Sequence, residues 1–222
     1  MRLARLEIDH AALRHNLSVV RGLVPGSRVA AVVKANAYGH GMTSVAHTLV
    51  EAGVDALAVS VVAEARRLRE AGFTGPILVL QGAHAAHDWQ YAARAQLQLT
   101  LHCHAQLRRL ETLALSRPLT IWLKINTGMQ RLGFPPATAP ALMARLEALP
   151  QVARPVVAMT HLACADDLAD PATLGQIQTF DQAFGRQARP RPHSLANSAA
   201  ILRWPQARRD WVRPGIMLYG GS

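Results

Sequence analysis

A closed (β/α)8 barrel is the fold class that this sequence predicts, and three observations predict it. Short apolar runs alternate with amphipathic stretches along all 222 residues. Eight such runs occur, each rich in β-branched or aliphatic residues, as strands buried on both faces require. The residues able to do chemistry stand at the carboxyl ends of these runs, which is where barrels carry their sites. An open, doubly wound sheet is the structural rival, but G-x-G-x-x-G occurs nowhere in the chain.

In chain order, residues 6–9 read as a short alternating strand, with Asp9 placed to cap the following helix. In that helix Leu13, Leu17, Val20 and Val24 fall at helical spacing, and Pro25-Gly26 ends it. Strand candidates follow at 29–33, 56–59, 77–80, 98–101, 119–125, 156–161, 193–196 and 211–213. Helical faces lie between them: Val61, Ala65 and Leu68 ahead of Gly72, Leu107 with Leu110, Leu142 with Leu146 and Leu149, and Ile177 with Phe180 and Phe184. Strand eight is followed by Tyr219 and a short tail, so the helix near 11–23 is expected to fill the eighth place in the ring. The division is thus an N-terminal strand at 1–9, a barrel at 10–219, and a domain-junction or artificial tail at 220–222.

The most informative stretch runs from Val29 to Gly41. Lys34 stands where an apolar strand becomes a loop, and the preceding residues give it no solvated face. A desolvated primary amine needs a partner or a covalent use, and condensation with a carbonyl cofactor such as pyridoxal phosphate is the common one. The bland reading is a lysine snorkelling from a strand end. Tyr38 offers a hydroxyl, while Gly39 and Gly41 let backbone N–H groups approach a phosphate. Alternation in strand five puts Leu119, Ile121, Leu123 and Ile125 on one face, and Lys124 with Asn126 on the other, toward the barrel interior.

Composition narrows the function classes. The formal charge is +10, yet Lys34 and Lys124 are the only lysines. The arginines are spread over helical segments (Arg66, Arg67, Arg69, Arg108, Arg109, Arg145) without a long basic run or interleaved aromatics, which argues against nucleic-acid binding. Cys103 and Cys164 lack C-x-x-C spacing and suit a reducing compartment. No apolar stretch reaches membrane-spanning length and no signal-peptide core opens the chain, so a cytoplasmic protein is expected. His102-Cys103-His104, and His161 with Cys164 and Asp166, resemble metal ligands, but neither has a second ligand cluster; no metal is expected.

Five stretches together resemble bacterial alanine racemases: V-V-K-A-N-A-Y-G-H-G at 32–41, W-L-K-I-N-T-G-M-Q-R-L-G-F at 122–134, T-H-L-A-C-A-D-D at 160–167, A-N-S-A-A at 196–200, and V-R-P-G-I at 212–216. The resemblance implies a TIM-type barrel that binds pyridoxal 5'-phosphate through a Schiff base on Lys34 and interconverts L- and D-alanine, the D form being a peptidoglycan precursor. It implies that Arg131 meets the cofactor's phenolic oxygen, and that Lys124 is a site of carbamylation whose new carboxylate orients Arg131. His161 would contact Arg213 beneath the pyridine ring, and Arg213 would pair with the ring nitrogen. Tyr38, Asn197, Ser198, Gly215 and Ile216 would hold the cofactor, chiefly at its phosphate. Many members carry aspartate at the position of Asn126. An always-protonated arginine keeps the pyridine nitrogen unprotonated, which favours racemisation over transamination.

Racemisation needs an acid/base on each face of the α-carbon. In the family the second is a tyrosine from a C-terminal β-domain, contributed by the other subunit of a homodimer. None of Tyr38, Tyr91 and Tyr219 matches it, and the resemblance covers only about the first three-fifths of a typical member by motif placement. The chain therefore reads as the barrel without that β-domain. A non-catalytic, single-domain pyridoxal-phosphate carrier is the alternative.

Overall fold

The computed structural model describes residues 7–185 and 191–221. Eight parallel strands among them close into a barrel: β1 Arg28–Val32, β2 Ala56–Val59, β3 Ile77–Val79, β4 Leu97–Leu101, β5 Leu119–Lys124, β6 Val152–Met159, β7 His193–Ser194 and β8 Trp211–Val212. β1 pairs with both β2 and β8, so the ring has no free edge. Helix α1 (His10–Leu23) precedes β1. One helix then follows each of the first seven strands: α2 Met42–Glu51, α3 Val62–Glu70, α4 Ala86–Arg94, α5 His104–Thr112, α6 Ala139–Ala148, α7 Ala172–Phe184 and α8 Ser198–Arg203.

Strand alternation sorts the core into two layers. Val29, Ala31, Leu57, Leu99, Ile121 and Leu123 face outward into the main core shared with the helices. Ala30, Ala56, Ala58, Leu78, Trp122 and Trp211 face inward and pack together. Small alanines on β1 and β2 leave room for the two tryptophans, whose rings lie 5.3 Å apart. The Trp122 indole donates to Gln98 Oε1 at 2.8 Å, and the Arg28 guanidinium covers Trp211. The lower barrel interior is therefore filled.

Several expectations need correction. Residues 7–9 form no strand, and residues 1–6 lie outside the described residues. A closed barrel offers no edge for a ninth strand to join; Asp9 nonetheless caps α1, its carboxylate accepting from the N–H groups of Ala11 and Ala12. Val61 is an exposed N-cap rather than part of a buried face; α3 starts one residue later and buries Val62, Ala65 and Leu68. β6 begins at Val152, four residues before the expected start. Its register with β5 shifts beyond Ala153, where Arg154 and Pro155 are exposed. β7 and β8 are shorter than expected, although Arg213 N–H still donates to Ala196 O.

Helix α1 does occupy the eighth helical place. It packs on α2 and on the turn after β8, and the Asn16 amide donates to Leu218 O at 3.0 Å. Leu13, Leu17 and Val20 are buried beneath it. Leu17→Ala is expected to cost about 2–5 kcal/mol in denaturant unfolding. Val19→Ala, on the exposed side of the same helix, should stay within about 0.5 kcal/mol. Equal, small losses at both positions would mean that α1 is not a stave of the ring.

Candidate active site

The carboxyl mouth of the barrel opens into a cavity of about 770 Å³. Lys34 enters it from β1 over an unusual piece of backbone. Ala35, Asn36, Ala37 and Tyr38 all have φ between +51° and +55°, a left-handed turn of four non-glycine residues. Each such residue is unfavourable by roughly 1–2 kcal/mol, so the surroundings must impose the turn. Glu64 on α3 accepts from Ala35 N–H at 2.7 Å and, with its other oxygen, from Ser60 N–H at 2.7 Å. Asn36 Oδ1 accepts from Met42 N–H at the start of α2. The turn fixes Lys34 at the rim and swings Tyr38 back over the cavity. The Lys34 amine makes no hydrogen bond or ion pair among the described residues, while its side chain lines the cavity.

The facing wall is cationic. Lys124, at the end of β5, is only 6% exposed. Burial, then the charges of Arg213, Arg131 and Lys34, bring its pKa from the ordinary 10.5 down to about 8. Arg213, just past β8, is 3% exposed and has no carboxylate partner among the described residues. Its Nη2 donates to Thr160 O at 2.6 Å and to Leu195 O at 3.2 Å, and its Nη1 donates to Ser194 Oγ. Burial lowers its pKa to about 10, which leaves it charged at neutral pH. Its Nε–H has no acceptor among the described residues and is not one of their sealed, unsatisfied groups, so it is open to the cavity. His161, beyond β6, is pushed down to about 3 by burial and then by Arg213, Lys124, Arg131 and Lys34; its imidazole is therefore neutral at ordinary pH. Imidazole and guanidinium make no hydrogen bond with each other; Arg213 takes the neighbouring Thr160 carbonyl instead.

Arg131 sits on the exposed loop after β5, lines the cavity, and makes no hydrogen bond or ion pair among the described residues. Asn126 does not line the cavity as alternation suggested. Its amide turns back into the loop, accepting from Gly128 and Gln130 N–H and donating to Gln130 Oε1. On the third side, Asn197 caps α8 by accepting from Ala200 N–H. Ser198 Oγ accepts from Gly215 N–H at 2.8 Å and from Met217 N–H at 3.3 Å, which leaves its own proton free to donate. Gly215 N–H is thus occupied, whereas Ile216 N–H has no acceptor among the described residues. A Cβ at Gly215 would overlap the Tyr38 hydroxyl, so glycine is required for this close approach.

The ten residues to which the family resemblance gives a role all line this one cavity: Lys34, Tyr38, Lys124, Arg131, His161, Asn197, Ser198, Arg213, Gly215 and Ile216; Gly39, Gly41 and Asn126 do not. Sequence reading missed Ser60, Gln81 and Arg203 at the same cavity and Glu64 behind the turn, and it considered Asp166, which also lines the cavity, only as a metal ligand. It also missed Gln176, a polar residue on the buried stripe of α7 with Thr173, Ile177 and Phe180; a polar side chain at a core position of a helix was the available signal. The His102-Cys103-His104 segment forms the entry to α5, with the His102 ring against Gln81 O. Among the described residues no three His, Cys, Asp or Glu side chains group as metal ligands, and no helix is long and apolar enough to cross a membrane.

A buried amine with a lowered pKa weakens the fold while it is protonated. The penalty is complete below about pH 8, shrinks as pH rises, and vanishes above 10.5, where the unfolded chain is also neutral. In carbon-dioxide-free buffer at pH 7, Lys124→Met is therefore expected to stabilise the chain by up to about 3 kcal/mol. Denaturant unfolding at rising pH should show that gain disappearing; a gain independent of pH would assign it to packing alone.

Residues 8–222 match the family model described as "Alanine racemase, N-terminal domain". The alanine racemase of Thioalkalivibrio sulfidiphilus is 54% identical over the whole chain, and that of Halorhodospira halophila 46% identical over essentially the whole chain. The crystal structure of biosynthetic alanine racemase from Pseudomonas aeruginosa superposes with a TM-score of 0.91 at 39% identity, covering 97% of this chain and 59% of that one. The chain spans about 60% of the length of the curated relatives it matches.

Proposed function

The chain belongs to the alanine racemase family, whose N-terminal domain it matches, and on that footing we propose that it binds pyridoxal 5'-phosphate at Lys34 as the barrel part of an enzyme interconverting L- and D-alanine. The convergence of residues from five separate stretches on one cavity, with an unpaired lysine amine among them, carries this reading.

The groups present fit the cofactor. The open Nε–H of Arg213 suits an unprotonated ring nitrogen, which accepts but does not donate. The hydroxyls of Tyr38 and Ser198 and the N–H of Ile216 suit a phosphate, and a side chain at position 215 would displace the Tyr38 hydroxyl. Arg131, without a partner among the described residues, suits the phenolic oxygen. When bound, pyridoxal phosphate supplies the carbonyl with which Lys34 condenses and the electron-withdrawing ring that acidifies the substrate's α-C–H.

The chain's own residues then divide the work. Lys34 takes or returns the α-proton on one face. Arg213, held by three acceptors and charged at neutral pH, fixes the ring nitrogen in its unprotonated form. His161, neutral, adds no further charge to a cationic wall. Carbamylation of Lys124 would turn its repulsion with Arg131 into an ion pair and hold that guanidinium in place. The second proton-transfer group lies outside these residues. Tyr91 lies under the Arg66 guanidinium on α4, Tyr219 donates to Val32 O, and Tyr38 is committed to phosphate. In this reading the second group is a tyrosine from the partner subunit of a homodimer. Two free cysteines suit the reducing cytoplasm.

Incubation with pyridoxal phosphate should give an absorbance band that borohydride fixes covalently, with peptide mapping placing the label on Lys34. Lys34→Ala should abolish both the band and the label. A label on Lys124, or none, would overturn the assignment. Without the second proton-transfer group, alanine turnover by the 222-residue chain should fall about 10²–10⁴-fold below that of a full-length relative.

A further inference from the structure

Gln176 of α7 is 3% exposed, yet the site described above gives it no task. Its Oε1 accepts from Ala163 N–H at 2.9 Å. Its Nε2 donates to His161 O at 3.0 Å and to Thr127 Oγ1 at 3.3 Å. An N–H donor on one side and a carbonyl acceptor on the other fix which end of the amide is oxygen, and both amide protons are used.

The chain continues in one direction. Thr160 Oγ1 spends its proton on Ile125 O at 2.9 Å, so in its 2.8 Å contact with Thr127 it accepts and Thr127 donates. The order is therefore Gln176, Thr127, Thr160, Ile125, with each donor used once. Thr127 and Thr160 are themselves buried, and the Thr160 carbonyl receives Arg213 Nη2. Gly128, with φ +146°, lies so close to Gln176 Cγ that a Cβ there would stand 3.2 Å from it.

Three parts of the site meet on this clasp: the loop carrying Arg131, the segment carrying His161, and the carbonyl that holds Arg213. Arg131 has no side-chain partner among the described residues, so its place depends on how its loop is anchored. The loop's base is closed by Asn126 N–H to Phe134 O and Phe134 N–H to Lys124 O; Thr127 is its buried anchor to the neighbouring strand and helix. A core amide that only filled space would be replaced by a leucine without loss to the site. We infer that Gln176, acting through Thr127 and Thr160, is a positioning residue that sets Arg131 relative to His161 and Arg213.

The inference rests on the cofactor reading above, and its test separates the two. In the cofactor-free chain, Gln176→Leu and Thr127→Val should speed amide exchange at Asn126 and Phe134, while Thr127→Ser keeps it slow. With pyridoxal phosphate bound, both variants should keep the dissociation constant within about threefold, since the phosphate groups are untouched. The pH midpoint of the bound chromophore should move by about one unit. Thr127→Ser should restore it. Arg131→Ala should move it alone, and adding Gln176→Leu to Arg131→Ala should move it no further.

An unmoved midpoint in both single variants, or additive shifts in the double variant, would overturn the positioning role. A wild-type chain that traps no pyridoxal phosphate would instead overturn the cofactor reading. Should Gln176→Leu fail to fold, Thr127→Val carries the same test with the two hydrogen bonds of the Thr127 hydroxyl removed.

Discussion

Uncompensated positive charge at the barrel mouth is the constraint on which the rest of this structure turns. Lys124 and Arg213 are almost wholly buried, Lys34 and Arg131 share their cavity, and none of the four is ion-paired among the described residues. Burial acts against the charged forms of Lys124 and Arg213, and at Lys124 the charges of the other three add to it. Such a cluster is tolerable in a fold only if something anionic completes it. A phosphate, a phenolate oxygen, a substrate carboxylate and a carbamate on Lys124 are all of the required sign. Binding of any of them stabilises the native state over the unfolded one by mass action, so ligand affinity and fold stability are linked through the same few side chains.

The barrel supplies rigidity where this charge is concentrated. Two tryptophans fill its lower half, so the four cations sit above a floor that cannot yield. The left-handed turn after β1 is the complementary device. It stores backbone strain beside Lys34, and the carboxylate of Glu64 holds it by taking N–H groups from two neighbouring β-α connections. Strain and uncompensated charge are thus both gathered at one end, against a well-packed remainder.

How much of this was legible beforehand follows from the physics of each part. The barrel could be read because continuous apolar runs at regular spacing leave few other packings, and the ten cavity residues because each sits at a strand end within a recognisable stretch. What escaped were features carried by pairing rather than by pattern. No local signal says that Glu64 accepts from a loop twenty-nine residues earlier, or that Asn126 folds its amide back into its own turn. At the N-terminus residues 7–9 carry no strand, since alternation over so few residues does not by itself make one; the rest of the expected strand lies outside the described residues. Gln176 was overlooked because its neighbours on α7 made the helix look like ordinary core.

The ring is sealed by its two most distant segments. Asn16 on α1 holds Leu218, and Tyr219 donates to Val32, so the seam joins residues about two hundred positions apart. During synthesis on the ribosome α1 emerges first, yet its docking surface is completed only when the last strand has left the exit tunnel. The part of the apolar stripe of α1 that faces the turn after β8 must therefore wait, uncovered, until the last strand of the barrel has been made. Closure is necessarily a late event, and the nascent chain is most vulnerable to aggregation and proteolysis just before it.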